Sequence, residues 1–377
     1  MKFLRFVQRI LMDKKLEIPQ SDLLEGAPHP RMSKNLIGHL DSMEIFRKSY
    51  QENKLHHAWI ISGNKGIGKA TLAWQLIKKL MTEAYMDENE DDKSLINIKQ
   101  IEALSLPNLF LCRRPYDEKT KRLKKFITVD EVRKLKSFFN LSAIENGWRV
   151  ALIDSADELN KSASNALLKL LEEPPKRSII IIVAHQIRKL PVTIRSRCRS
   201  LRLQKLTENE IEKILLLSGY NTSNLSKDDK IILDIISNGS AGRAITVLNQ
   251  DGISIFKFCL ELLNNFPNFN RKKLTELGYK VKNNINRFNF ISSILLLIIA
   301  RLASISISSK IEMPTEYEKE LIYKLNVNSK TPKVLSQIYS DLSKSFTMCE
   351  ELNLEPMTEI INAFIRIENS LIEAKND

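Results

Sequence analysis

The stretch SGNKGIGKAT, Ser62 to Thr71, places Gly63, Gly68 and Lys69 in the spacing G-x-x-x-x-G-K. Glycines so spaced let successive backbone N–H groups turn inward and cradle phosphate oxygens. A helix that begins at the lysine adds its positive N-terminus. Lys69 would pair with the outer phosphates of a nucleotide, ATP or ADP, and Lys65 and Gly66 complete the loop. The next position normally gives a hydroxyl to Mg²⁺. Here it is Ala70, and Thr71 lies one residue on, about 100° around the helix. The loop keeps the groups that hold phosphate and lacks one that serves the metal. The competing reading is a loop kept for its shape alone.

A second chemical candidate is VALIDSADELN, Val150 to Asn160. A buried strand ending in a carboxylate is where a phosphate-loop enzyme places its Mg²⁺ ligand, and Asp154 fits. Many such ATPases follow it with a glutamate that activates water; this chain has Ser155. A missing general base costs on the order of 10²–10⁴ in rate, so efficient hydrolysis is not expected. The third candidate is LPVTIRSRCRSLRL. If extended, it would set Arg195, Arg197, Arg199 and Arg202 on one face. Such a row is either a solvated edge or a DNA-facing patch, unless one rigid guanidinium serves as an arginine finger toward a neighbour's γ-phosphate.

These residues need a scaffold. HAWIISG is a short apolar strand entering the glycine loop, and ATLAWQLIKKLM has helical spacing. SMEIFRKSYQENKL before them reads as a helix. NLFLCRRP is predicted as a strand, and DEKTKRLKK as a charged loop. TVDEVRKLKSFFN is predicted as a helix with a Thr128/Glu131 capping box. WRVALID and SIIIIVAH are predicted as buried strands, with the helix KSASNALLKLLEE between them stopped by Pro174 and Pro175. The acidic run Tyr85–Lys93 reads as a solvated loop. Strands alternating with helices predict a parallel sheet covered on both faces. After about residue 203 only helical periodicity remains. The expected organisation is an extension over 1–30, a phosphate-loop domain over 31–204, a helical lid over 205–252 and a helical domain over 253–377.

The chain has 377 residues, 43% hydrophobic and 27% charged, with a formal net charge of +13. That is ordinary globular composition with a basic balance suited to polyanions. Cys112, Cys198, Cys259 and Cys349 are scattered, without metal spacing among them or the five histidines. No zinc or other metal site is expected, and a reducing compartment fits. The apolar run Ile294–Ala300 ends at Arg301, far short of the roughly 20 residues a membrane span needs. It reads as a buried helix, and the expectation is a cytoplasmic, soluble protein with no membrane partner.

NALLKLLEEPP (Asn165–Pro175) followed by KLPVTIRSRC (Lys189–Cys198), with HHAWIISG before the loop, closely resembles bacterial DNA polymerase III clamp-loader subunits of the AAA+ class. The resemblance covers about residues 30 to 250 by motif. It implies an AAA+ sheet domain, a small helical lid and a C-terminal helical collar. Within the family the chain looks like the delta-prime branch, which usually lacks a working ATPase site, rather than the gamma and tau motors. Ser155 stands at the motors' glutamate. Ala184 or His185 stands at their polar sensor. Gly242, with Arg243 beside it, falls near their lid arginine in NGSAGRAI. The four-cysteine zinc module common in the family is absent, and LCRRPYDEKTKRLKK resembles the alphaproteobacterial form. The resemblance further implies a hetero-oligomeric ring with gamma/tau and delta subunits, which opens a sliding clamp and closes it on primer–template DNA. In that ring Arg197 would reach a neighbour's ATP site, and this chain would be the stator. An active gamma/tau-like ATPase is the alternative.

Overall fold

The computed structural model describes residues 19–82, 92–140, 147–307, 316–325 and 331–376. The first 18 residues of the expected N-terminal extension lie outside them. So does the acidic run, apart from Asp92 and Lys93. The chain forms two compact units, one running to Ser218 and including Gly239–Gly242, the other formed by Gly219–Asn238 and the chain from Arg243 onward.

Five strands make the sheet of the first unit: β1 (Ala58–Ser62), β2 (Leu109–Arg113), β5 (Arg149–Asp154), β6 (Ser178–Ala184) and β7 (Arg199–Arg202). Their spatial order is β2-β5-β6-β1-β7, and every pairing is parallel. A parallel sheet is covered on both faces, so its inner strands read as unbroken apolar runs. Every residue of β1, β5 and β6 is buried.

Strand alternation sorts those residues between two cores. Trp59, Ile61, Val150, Leu152, Ile179 and Ile181 face one side, against α1 (Leu40–Gln51) and α2 (Lys69–Met81) through Phe46, Leu72, Leu76 and Leu80. Ala58, Ile60, Ala151, Ile153, Ile180 and Ile182 face the other. There they meet α4 (Val129–Asn140) and α5 (Lys161–Glu172) through Val132, Leu135, Leu167 and Leu171. The architecture is therefore α/β in this unit, as its alternating elements predict. The other elements of the unit include α3 (Asp92–Glu102), α6 (Val192–Arg195), α7 (Glu208–Leu217) and a small hairpin of β3 (Tyr116–Asp117) and β4 (Arg122–Leu123).

Helix starts follow their caps. Asn160 accepts from the Ala163 N–H at α5, and Thr207 and Glu210 form a reciprocal capping box at α7. At α4, by contrast, the Glu131 carboxylate turns to Lys134 at 2.6 Å instead of completing the expected box.

The second unit is all helical: α8 (Lys227–Ser237), most of α9 (Ala241–Asn249), α10 (Gly252–Asn264), α11 (Arg271–Val281), α12 (Ile285–Ile307), α13 (Glu316–Leu325), α14 (Thr331–Glu351) and α15 (Pro356–Asn376). Helix α12 is its spine. Phe288, Ile291, Ile294, Leu295 and Ile298 are wholly buried, and Phe288 meets Phe346 of α14 edge-on at 5.6 Å. By length and composition α12 could cross a membrane, yet 56% of its most apolar window is buried inside the protein. Arg301, which ends its apolar run, pairs with Glu318 of α13 at 2.9 Å, and Glu318 is 1% exposed.

Candidate phosphate-binding site

The glycine loop joins β1 to α2 at the C-terminal edge of the sheet, where ligands bind in open parallel sheets. Gly63, Gly66 and Gly68 hold φ of 150°, 80° and 100°, values that side-chain-bearing residues rarely adopt. At Gly63 space is also short: a Cβ would stand 2.5 Å from Ile67 Cδ1. Gly68 is the last residue before α2, so the helix N-terminus opens at Lys69 as the motif requires.

Lys69 is buried at 3% exposure. Its Nζ donates to the Gly63 carbonyl at 2.8 Å and to the Asn64 carbonyl at 2.5 Å. The amine that would meet a phosphate thus folds back onto its own loop. Burial lowers its pKa to about 8, against the opposing pull of Asp154 and Asp157. Asp154 ends β5 and is 8% exposed. Burial pushes its carboxyl up to about 7; the Asp22 charge adds to the rise and Lys69 opposes it.

Three further groups complete the edge. Asp157 lies in a 3-10 turn after β5, and its carboxylate accepts from the backbone N–H of His185 at 2.5 Å and of Gln186 at 2.9 Å. It ties the end of β5 to the end of β6. His185 is held neutral: burial takes its pKa down to about 4, helped by the charge of Lys69. Of Ala184 and His185, it is therefore His185 that shares an electrostatic environment with the loop lysine. Ser155 follows Asp154 in extended backbone and is 3% exposed.

The stretch Gln20–Arg31 contributes a cluster that sequence spacing gave no reason to expect. The fully buried Asp22 carboxylate pairs with Arg113 and stands 3.2 Å from His29 Nε2. Arg113 is the register partner of Asp154 across β2 and β5. This carboxylate is one cause of the raised Asp154 pKa. Burial works against the charged form of Asp22, but His29 and Arg113 outweigh it and hold its pKa below the usual carboxylate range.

The segment Ser240–Gly242 closes on the loop from another direction. Ser240 Oγ donates to the Lys65 carbonyl at 2.9 Å, and the Gly242 N–H donates to the Gly66 carbonyl at 2.9 Å. A Cβ at Gly242 would lie 2.8 Å from Gly66 Cα and 3.2 Å from Gly66 O. Backbone on both sides leaves nothing flexible to yield, so this approach requires glycine.

Residues 38–207 match the family described as "DNA polymerase III, delta subunit". A DNA polymerase III subunit gamma of Buchnera aphidicola (subsp. Schizaphis graminum) is 29% identical over 251 residues, covering 66% of this chain and 63% of its own length. A DNA polymerase III subunit delta' of Bacillus subtilis is 30% identical over 174 residues, covering 46% of this chain and 50% of its own. The match thus spans less than two thirds of either relative. Over residues 38–207 the chain is similar to DNA polymerase III subunits of the gamma and delta' kinds. Among solved structures, a gamma-subunit-related protein of Thermotoga maritima aligns over 89% of this chain and 100% of its own at 14% identity, with a TM-score of 0.39.

In the same region the arginine row departs from expectation. Val192–Arg195 forms a helical turn, so only Arg199–Arg202 is extended and the four arginines do not share one face. Arg199 stacks 5.0 Å over the Trp59 ring and donates to Ser49 Oγ. Arg197 stays near the surface, donating to the Thr193 carbonyl at 3.0 Å and pairing with Glu172 at 2.9 Å. Lys65 gives its carbonyl to Ser240. Ala70 and Thr71 both lie in the first turn of α2, half-buried. Among the described residues no group of three metal-ligating side chains is gathered. Burial pushes the thiols of Cys112, Cys198 and Cys259 up to about 12, which leaves them unreactive.

The titration of Asp154 has a testable sign. Its pKa is higher in the folded chain than in the unfolded one, so the folded state binds its proton more tightly. Stability then falls as pH rises from about 4 to about 7, and the loss is complete above that range. Lys69 acts oppositely: its lowered pKa adds stability as pH rises from about 8 to 10.5. Asp154→Asn should flatten the first limb. It should raise stability at pH 8 by about 1–2 kcal/mol after the lost counter-charge to Lys69 is set against the relief. Thermal melts of both proteins between pH 4.5 and 8 measure this difference, and parallel curves would reject it.

Proposed function

We propose that this chain is a non-motor, delta-prime-like subunit of a DNA polymerase III clamp loader. On this reading it stands in a cytoplasmic hetero-oligomeric ring with gamma/tau and delta subunits and helps place a sliding clamp on primer–template DNA. It presents Arg197 to the ATP site of a neighbour and does not itself turn over ATP.

The observation that carries the reading is the closure of the phosphate loop by its own chain. Gly242, at the position where the resemblance puts the motors' lid arginine, lies backbone to backbone against Gly66. An arginine at that position would displace the loop before it could reach a phosphate. Two changes of residue type agree with it. Ala70 cannot ligate Mg²⁺, and Ser155 cannot serve as the carboxylate base that a motor needs.

Lys69, Asp154 and the glycines are retained, and one relative is named gamma, so an active motor is the second reading. The two separate in a steady-state assay on the purified chain. Negligible ATP turnover is expected, whereas turnover on the order of 1 s⁻¹, the lower end of ordinary enzyme values, would reject the non-motor reading. Nucleotide binding is a distinct question, read from thermal stabilisation by ATP and by ADP. If either stabilises the chain, Lys69→Ala should abolish the shift, since Nζ is the one amine the loop directs inward.

A further inference from the structure

The hairpin of β3 and β4 carries a charge distribution that the phosphate site does not use. Its backbone pairing runs from Pro115 to Lys124, whose N–H donates to the Pro115 carbonyl at 2.9 Å. Lys119, Lys121, Arg122, Lys124 and Lys125 are all exposed. Among the described residues none of these five has an acidic side chain within ion-pairing distance. Four basic residues of adjoining elements are committed instead: Arg113 to Asp22, Arg114 to Glu158, Arg133 to Asp130 and Lys134 to Glu131.

Two acidic residues enter the turn, Asp117 and Glu118. Asp117 spends one carboxylate oxygen on the Lys119 and Thr120 N–H groups, which shapes the turn that groups the lysines. Five cations against two carboxylates leave the hairpin with a net positive charge, whose repulsion an external polyanion relieves.

The spacing points to the class of polyanion. Arg122 and Lys124 are exposed with the half-buried Leu123 between them, so they project to the same side, roughly 6.6 Å apart. Neighbouring phosphates of one nucleic-acid strand are also several ångströms apart, so two cations at this spacing can each meet a phosphate of the same strand. Phe126, 46% exposed, follows directly, with Lys125 Nζ 5.8 Å from its ring centre. An exposed ring beside a row of cations is the combination that holds single-stranded nucleic acid, by base stacking and phosphate pairing together. A membrane-surface element would need a broad apolar face to insert, and the hairpin offers one ring.

We propose that the β3–β4 hairpin, with Phe126, is a nucleic-acid docking surface that binds a single strand through its phosphates. The surface is separate from the phosphate loop and from Arg197, so it stands or falls independently of the clamp-loader reading. The test uses the full chain without nucleotide and a fluorescently labelled single-stranded DNA oligonucleotide, with anisotropy measured across a salt series. Lys121→Glu, Arg122→Glu and Lys124→Glu together should weaken binding at least tenfold at low salt. They should also reduce the slope of log affinity against log salt by about two, at about 0.7 per phosphate contact.

An equal charge reversal on exposed lysines of the second unit, Lys272, Lys333 and Lys344, should leave the slope near that of the unaltered chain. Should the glutamate variant fail to fold by circular dichroism, the triple glutamine variant carries the same prediction with a smaller loss. A hairpin variant indistinguishable from the distal variant would overturn the assignment. So would an unaltered chain that binds phosphatidylserine vesicles through the hairpin and ignores DNA.

Discussion

If Arg197 serves a neighbour as proposed, Arg197→Ala is expected to leave the fold intact and to cut ATP hydrolysis at that neighbouring site by roughly 10³-fold, the lower range for removal of an arginine finger. The structural half of this rests on where the guanidinium stands. Arg197 is 37% exposed, and its partner Glu172 is 48% exposed. Exposed pairs of this kind contribute about 0–1 kcal/mol, so losing one barely moves the melting temperature. The same weakness suits the proposed role, since a guanidinium held so loosely can be handed to a γ-phosphate at little cost. Thr193 and Glu172 keep it near one orientation meanwhile. The measurement is DNA-stimulated hydrolysis by the reconstituted loader, with the other subunits unaltered. Arg197→Lys should rescue poorly, because an ammonium keeps the charge and loses the planar fork. Full activity in the alanine variant would exclude the finger role.

How much of this was legible beforehand depends on the range over which each feature is encoded. The buried strands announce themselves: SIIIIVA is buried along all seven residues because a parallel strand has no polar face. Caps are encoded as locally, yet the Thr128/Glu131 box read from the sequence gives way to a Glu131–Lys134 pair, while Asn160 and Thr207, which were not singled out, do cap their helices. The loop glycines declare their positive φ by being glycines. What stayed hidden is encoded by contacts between distant residues of ordinary type. Asp22 in an irregular segment has no periodicity or motif, and its pairing with Arg113 spans 91 residues. Asp157 reads as a turn residue until the end of β6 arrives to donate to it. Gly242 reads as a missing arginine, and only the approach of Gly66 gives the glycine a positive reason to be there. The arginine row failed for a local reason: Pro191 fixes the entry to a helical turn at Val192–Arg195, which breaks the two-residue alternation that an extended segment would keep. The hairpin failed for its length, because two-residue strands are too short to show a period.

Arg301→Ala should be among the most destabilising single changes in the helical unit. Arg301 interrupts a strongly apolar helix and pairs there with Glu318, which is 1% exposed. Truncating the arginine takes a counter-charge and a hydrogen-bond donor away from a buried carboxylate, at a cost of up to about 3–5 kcal/mol. For a unit of this size that corresponds to a fall in melting temperature of roughly 6–20 °C. Glu318→Ala should cost less, because Arg301 is 20% exposed and can reach water once released. The double variant Arg301→Met/Glu318→Leu should recover most of the loss, since apolar residues of similar volume replace a buried pair at little net cost. This ordering, arginine truncation worst and the apolar pair nearly neutral, is specific to a desolvated ion pair. A pair that merely decorated the surface would give three small and equal effects in the same melts. If the ordering holds, the charge at Arg301 gives little net stability and instead fixes the register of α12 against α13. In an otherwise greasy 23-residue helix, apolar packing alone would tolerate a slip that this pair forbids.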